Sequence, residues 1–541
     1  MKPDGAQSVL ILGAGINGAA IAREFALNGW SVHVVDTADV ASGTTAGSSR
    51  LIHGGLRYLE YGDFSLVRES LEERSRLLQL APQFVEPLRL FTPVQKRTSG
   101  LWQGVSRFCG WRQPDAPSTP RGLWLVRTGL ALYDRFAKSS KLPGHQVHTC
   151  GTDAVPPVNS CYRWMCSYWD ARIASPERFV VSLLHDAQTL CAQHGVAFRV
   201  STWSHARRDN DVVRIQSGSS PASSVDGQPE ADGKPTADEY TIRPSAIINA
   251  TGAWVDRTLS RLDVSARRLI AGTKGSHIIT FSPALRAAID GNGIYAEAGD
   301  GRPVFILPFG EGTLIGTTDL PFSGSPDSAV ASDEEVHYLL DAANQVFPQA
   351  ELVRDDVDIH YSGVRPLPST NRSSPESVSR RHFIHRHAGV REPLYSIIGG
   401  KLTTCRSLAE ELVATVLRDF GTTPRTTSRD RPVPGVADYA RLTPDVIRNV
   451  IRNEWVTHLS DLVERRLLLM FRQQLTVDTI RNVARQMVIA EFLQPNEVDA
   501  QVDHCVKRLR TRFGRVLPPG EPGRNENTSL AGQAMGVPDD S

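Results

Sequence analysis

The sequence predicts an α/β protein in which a Rossmann-type dinucleotide-binding domain is joined to further units and followed by a helical C-terminal region. Three observations carry this. Between Val9 and Asn28 an apolar run, a GxGxxG turn and a helical stretch follow one another. A second strand-like run, Ser31 to Val35, ends in the acidic Asp36. The 541 residues exceed one ordinary domain of roughly 100 to 200 residues, so two or three cooperating units are expected.

Composition narrows the class. Hydrophobic residues make up 40% of the chain and charged residues 22%, as in ordinary globular proteins, which argues against disorder and collagen-like structure. The net charge of +1 supplies no overall attraction to nucleic acid, and no nucleic-acid motif is present. Seven cysteines (Cys109, Cys150, Cys161, Cys166, Cys191, Cys405 and Cys505) lack CxxC spacing, so neither a disulfide framework nor a metal site is expected, and a reducing compartment is. The run Val9 to Ala22 could pass for a signal peptide, but glycines and Asn17 interrupt it and Arg23-Glu24 follow without a cleavage pattern, so export is not expected. No uninterrupted apolar stretch reaches the about 18 residues that a spanning helix needs.

The N-terminal motif reads as strand, tight turn, helix. Gly13 permits the turn, Gly15 lets a pyrophosphate approach the backbone, and Gly18 lets helix pack on strand. The helix N-terminus then offers N–H groups and a positive dipole end to the phosphates. Asp36, about 20 residues on, is placed to hold the adenosine ribose. Thr44 to Arg50 is a hydroxyl-rich loop with Thr44, Thr45, Ser48 and Ser49 as candidate donors to pyrophosphate or flavin edges; taken alone it also reads as a polar surface loop.

Leu51-Ile52-His53-Gly54-Gly55-Leu56-Arg57-Tyr58-Leu59 resembles the signature of the FAD-dependent glycerol-3-phosphate dehydrogenases. Five more segments fit that family in order: Asn249 to Trp254, Thr273 to His277, Ile315 to Asp319, Tyr361 to Pro366, and Gly399 to Thr404. The resemblance runs from about Val9 to about Arg406, with a weaker helical match from Asn453 to Phe471. It implies an α/β plus α+β architecture: a Rossmann-type FAD-binding domain like that of glutathione reductase and the amino-acid oxidases, an antiparallel substrate domain and a C-terminal helical cap. The implied segments are 1–80, 165–255 and 360–425 for the FAD domain, 81–164 and 256–359 for the substrate domain, 430–515 for the helical domain, and 516–541 for a disordered tail.

Within that frame, Ile247 to Gly252 is a buried strand entering a glycine turn, bringing Thr251, Gly252 and Trp254 to the cofactor. Gly399-Gly400-Lys401-Leu402 follows the apolar Tyr395 to Ile398 and is read as opening a helix whose N–H groups face the flavin. The implied reaction oxidises sn-glycerol 3-phosphate to dihydroxyacetone phosphate. Arg57, Arg365 and Lys401 are the candidate cations for its phosphate. His277 is the first candidate for the base that takes the hydroxyl proton and His53 the second; either could instead position substrate or flavin. Tyr58 is a candidate donor to substrate, and Thr317, Thr318 and Asp319 candidate neighbours of the site.

Trp455, Leu459, Leu462 and Val463 fall at helical spacing and are read as a packing cap. Gln216 to Glu239 and the tail after Val516 are rich in small, polar and turn-forming residues and read as mobile. Lys96 to Arg127 interleaves Trp102, Phe108, Trp111 and Trp124 with six basic residues, which suits a lipid interface as well as a soluble surface loop. The resemblance implies electron transfer to a membrane quinone by a cytoplasmic protein lying on the inner face of the cytoplasmic membrane, and is compatible with a homodimer. Three alternatives stay open: an oxidase that returns electrons to oxygen, an amino-acid or amine oxidase of related architecture, and a flavin-binding sensor without turnover.

Overall fold

The computed structural model describes residues 7–98, 121–137, 141–209, 212–218, 239–369, 381–436 and 442–518. Val9, Leu10 and Ile11 are wholly buried, which fits a strand covered on both faces. The strand Ser8–Leu12 lies inside a six-stranded sheet ordered Phe383–His387, Leu394–Ile398, Ala246–Asn249, Ser8–Leu12, Ser31–Val35, Phe198–Ser201. All neighbours run parallel except the edge strand Phe383–His387. One face carries the helices Ile16–Leu27, Pro176–Gln193 and Cys405–Asp419, packed through Ile21, Phe25, Val181, Leu184 and Leu412. The other face is covered by a three-stranded antiparallel sheet, Ser204–Asp209, Val212–Ser217 and Glu239–Ile242, through Val213 and Ile215.

The second sheet has ten strands and is antiparallel apart from one parallel pair, Val85–Val94 with Gly293–Glu297. Its longest strand, Ile270–Thr280, pairs with Ile359–Pro368 in a register that sets His277 opposite Tyr361 and Thr273 opposite Arg365. Three strands expected in the nucleotide-binding segments belong to this sheet instead: Leu51–Ile52, Trp164–Ile173 and Ile359–Pro368. The physical reason is long-range edge pairing. Trp164–Ile173 bonds along the whole of Val85–Val94, and nothing in its own sequence names that partner.

At the C-terminal end come Pro444–Asn453, Leu459–Asp461 continuing as the π-turn Leu462–Arg466, Val477–Ile489 and Val498–Phe513. Leu459, Leu462 and Val463 are completely buried in the core that underlies the large sheet. Trp455 does not share their helix: the preceding helix ends at Asn453, Trp455 has φ of 53°, and its ring lies 4.9 Å from that of His185. The expected insertion is flanked by a hairpin in which Gln216 pairs with Glu239, and 219–238 lie outside the described residues, as do the tail beyond 518, Cys109 and most of Lys96 to Arg127. Among the described residues no helix is long and apolar enough to cross a membrane.

Candidate functional site

A cavity of about 570 Å³ opens at the carboxyl ends of the parallel strands and extends to the large sheet. That end of an open α/β sheet is where crossover loops leave room for a ligand. Gly13 has φ of 104°, and a Cβ there would stand 2.7 Å from the Ala250 carbonyl, so the turn lies directly against the returning strand. Gly15 lines the cavity as the N-cap of Ile16–Leu27 without any side-chain cap, leaving the helix N-terminus open to it. Gly18 does not line it. A Cβ on Gly18 would be 1.9 Å from the Gly13 oxygen, so this glycine permits the helix to sit under the turn.

Asp36 lines the same cavity and accepts from the backbone N–H of Ala14 at 2.6 Å and of Ala38 at 2.9 Å. Burial pushes its carboxyl up to about 6 against those two hydrogen bonds. Thr44, Thr45, Ser48 and Ser49 are all in the lining, yet all four hydroxyls already brace the loop, Ser48 Oγ by accepting from Arg50 N–H. Thr44 donates to the Val364 carbonyl, Thr45 Oγ1 accepts from Ile16 N–H, and Ser49 Oγ lies 2.8 Å from His277 Nε2. Thr251, Gly252 and Trp254 also line the cavity; Thr251 donates to Asn249 Oδ1 and the Trp254 indole to Asp327.

Gly399 and Gly400 adopt φ of 81° and 100° and line the cavity together with Lys401 and Leu402. They do not open a helix. Cys405–Asp419 starts five residues after Gly400, and the intervening loop is tied to the opposite strand by His53 N–H donating to Thr403 Oγ1 at 3.2 Å. Left-handed backbone at two consecutive glycines is incompatible with continuing into an α-helix at that point. The two turns, Gly13 to Asn17 and Gly399 to Leu402, face one cavity. Asn17 Oδ1 beside them is a buried acceptor with no partner among the described residues, which suits a ligand bearing donors.

At the other end the candidate reacting groups form two clusters. His277 is 2% exposed and stacked on Tyr361 at 4.8 Å. Burial, then the charges of Arg365 and Arg50, depress its imidazole to about 3, so it is neutral across the physiological range. Arg365 donates to Thr317 Oγ1 at 3.0 Å and to Asp319 at 2.9 Å, which fixes its guanidinium beside Gly275. Thr317, Thr318 and Asp319 therefore act on the cavity through Arg365 and lie outside its lining. In the second cluster Lys401 Nζ lies 4.0 Å above the Tyr58 ring, and burial lowers the His53 imidazole to about 4. Arg57 sits on the turn Leu56–Tyr61, and its side chain is outside the described residues.

The groups that support these carry no signature in the sequence. Behind His53, the Gly54 N–H donates to the Tyr133 hydroxyl, which with Arg74 bonds Asp170; all three side chains are buried. Beside His277, Ser276 and Thr318 donate to Glu335, which pairs with Lys274 at 2.7 Å. Arg465, Arg508 and Arg512 enter the lining from the C-terminal helices, Arg465 bonded to Asp39 near the Asp36 end. The one available signal was Arg465-Arg466 with Asp461 and Glu464 among the apolar residues of Leu459 to Met470.

Residues 8–406 match the FAD dependent oxidoreductase (DAO) family. The chain is 34% identical over 457 residues to a protein of Synechocystis named glycerol-3-phosphate dehydrogenase, covering 80% of this chain and 74% of the relative. It is 31% identical over 453 residues to the D-erythritol 1-phosphate dehydrogenase of Brucella abortus, covering 83% and 80%. The crystal structure of the glycerol-3-phosphate dehydrogenase of Bacillus halodurans complexed with FAD superposes with a TM-score of 0.64 at 18% identity, over 94% of this chain and 95% of that one, a likeness of fold.

Proposed function

This chain belongs to the FAD dependent oxidoreductase family, and we propose that it oxidises sn-glycerol 3-phosphate to dihydroxyacetone phosphate and passes the electrons to a membrane quinone. The observation that carries the reading is the meeting, in one cavity with the dinucleotide turns, of a neutral buried imidazole, His277, and the fixed cations Arg365 and Lys401. Bound FAD supplies the hydride acceptor, at its N5. Gly13, Gly15, Asp36 and the Thr44 to Ser49 loop would hold the dinucleotide, and Gly399 to Leu402 the flavin end.

The residues then divide the work. Arg365, already oriented by Asp319 and Thr317, and Lys401 bind the phosphate dianion. His277 accepts the proton of the secondary hydroxyl as the C2 hydride leaves, so that one C–H and one O–H bond are exchanged for the carbonyl. An arriving dianion opposes the Arg365 and Arg50 charges that depress His277, and so raises its basicity when substrate is present. Tyr58 donates to substrate, and His53 positions it. The two compounds for which the relatives are named, glycerol 3-phosphate and D-erythritol 1-phosphate, both carry a secondary alcohol next to a phosphorylated carbon.

For the acceptor, the reading puts the protein at the inner face of the cytoplasmic membrane. The helix Leu123–Phe136 supports this, with Trp124 52% exposed beside Arg127. The test is anaerobic: glycerol 3-phosphate added to the yellow protein should bleach the flavin band rapidly, and faster than D-erythritol 1-phosphate does. Reoxidation by a quinone without peroxide supports the acceptor, whereas stoichiometric peroxide in air identifies an oxidase. A protein that retains FAD and is not bleached by either phosphate overturns the reading.

A further inference from the structure

The end of the cavity that Asp36 marks is walled by residues far from the N-terminal motif. Ser204 N–H donates to the Asp36 backbone carbonyl and Trp203 N–H to that of Ala38, so the bend at Trp203 lies alongside Asp36. Trp203 in turn packs edge-on against His458 at 4.5 Å and donates its indole N–H to Asp461. These contacts bring the C-terminal helices to the nucleoside end. From there Arg465, Arg508 and Arg512 join Arg261 in the lining.

Each C-terminal guanidinium is aimed by a fixed partner. Arg465 is held by Asp39 at 2.6 Å and Asp461 at 3.0 Å. Arg508 gives Nε and Nη2 to Glu464, and Arg512 gives Nη1 to the Asp327 carbonyl at 2.6 Å. A guanidinium has five donors, so Arg508 and Arg512 both keep N–H groups beyond these bonds. The cluster is also crowded with like charge. Burial, then Arg508, holds Arg512 below its ordinary range, and burial, then Arg257, does the same to Arg261. An anion entering here relieves that repulsion, and an aromatic base gives a guanidinium a face to stack on.

We propose that the helix Val498–Phe513 forms the outer wall of the adenylate end of the dinucleotide pocket, with Arg508 and Arg512 binding the adenylate half of FAD. This rests on the assignment of the cavity to FAD. The C-terminal helical region is thereby part of the cofactor site as well as a packing cap.

The experiment strips FAD from the holoenzyme and titrates FAD, and separately FMN, which lacks the adenylate, into the wild-type protein and the Arg508→Gln, Arg512→Gln and Arg512→Lys variants, reading flavin fluorescence. Each Gln variant should weaken FAD binding by about tenfold, as expected for a charge-assisted contact, with FMN binding unchanged and Arg512→Lys intermediate. FAD binding within twofold of wild type in both Gln variants overturns the proposal, as does an equal loss for FAD and FMN. If Arg508→Gln fails to fold because Glu464 loses its partner, Arg512→Gln carries the test, since among the described residues Arg512 bonds one carbonyl. Failure of the wild-type protein to rebind FAD would instead count against the cavity assignment itself.

Discussion

Ser49 Oγ and His277 Nε2 lie 2.8 Å apart, joining the hydroxyl-rich loop after the second parallel strand to the longest strand of the large sheet. The contact fixes the imidazole from one side while Tyr361 stacks on its face. His277→Ala should slow flavin reduction by glycerol 3-phosphate at least about 100-fold, the lower range for loss of a general base. Ser49→Ala should slow it about tenfold, because the base remains and only its orientation is lost. Anaerobic stopped-flow absorbance measures both; normal reduction in His277→Ala would make the base assignment wrong.

The depressed imidazoles predict acid sensitivity. Burial pushes the His277 imidazole down to about 3 and that of His53 down to about 4, both below the ordinary value of 6.5. Between those values and 6.5 the unfolded chain binds more protons, so stability falls as pH drops through that window and is unaffected by these groups above it. Thermal unfolding of His277→Gln followed from pH 7 to pH 4.5 should show a shallower fall in Tm than the wild type. An equal or steeper fall would mean that the buried imidazole is not the proton-linked group.

Arg365 is a forked donor pinned by Asp319, and a point charge cannot reproduce that geometry. Arg365→Lys should raise KM for glycerol 3-phosphate about tenfold with FAD content unchanged, and Arg365→Ala should raise it further. Steady-state kinetics with the flavin-to-protein absorbance ratio separate the effects. Lost flavin with unchanged KM would remove Arg365 from the phosphate site.

Asp39 is completely buried between Arg465 and Arg466. Burial opposes its ionisation, but the two arginines outweigh it and hold the carboxyl below its usual range. Asp39→Asn leaves two guanidinia buried without that carboxylate, which should cost about 3–5 kcal/mol of stability. Denaturant unfolding checks this; a loss under 1 kcal/mol would mean that Asp461 and Glu464 suffice.

Much of this protein was legible in its sequence because local constraints leave signatures. A turn that must pass under a returning strand needs Gly13, a helix that must sit on that turn needs Gly18, and the second strand ends in the acid Asp36, which accepts from the Ala14 N–H. The turn and its helix follow a fixed GxGxxG spacing and the family motifs are continuous segments, so these could be read from the chain, as could the candidates His277, Arg365 and Lys401, which the structure brings to one cavity. Only the tertiary structure decided that Ile359–Pro368 pairs with Ile270–Thr280, that Thr44 and Ser49 brace their own loop, that the Gly399 turn precedes its helix, and that Arg465, Arg508 and Arg512 reach the cavity lined by the GxGxxG turn. The reason is physical. Strand partners and buried ion pairs are chosen by surfaces hundreds of residues apart, such as Asp39 and Arg466, and a backbone edge or a guanidinium carries no local pattern that names its partner.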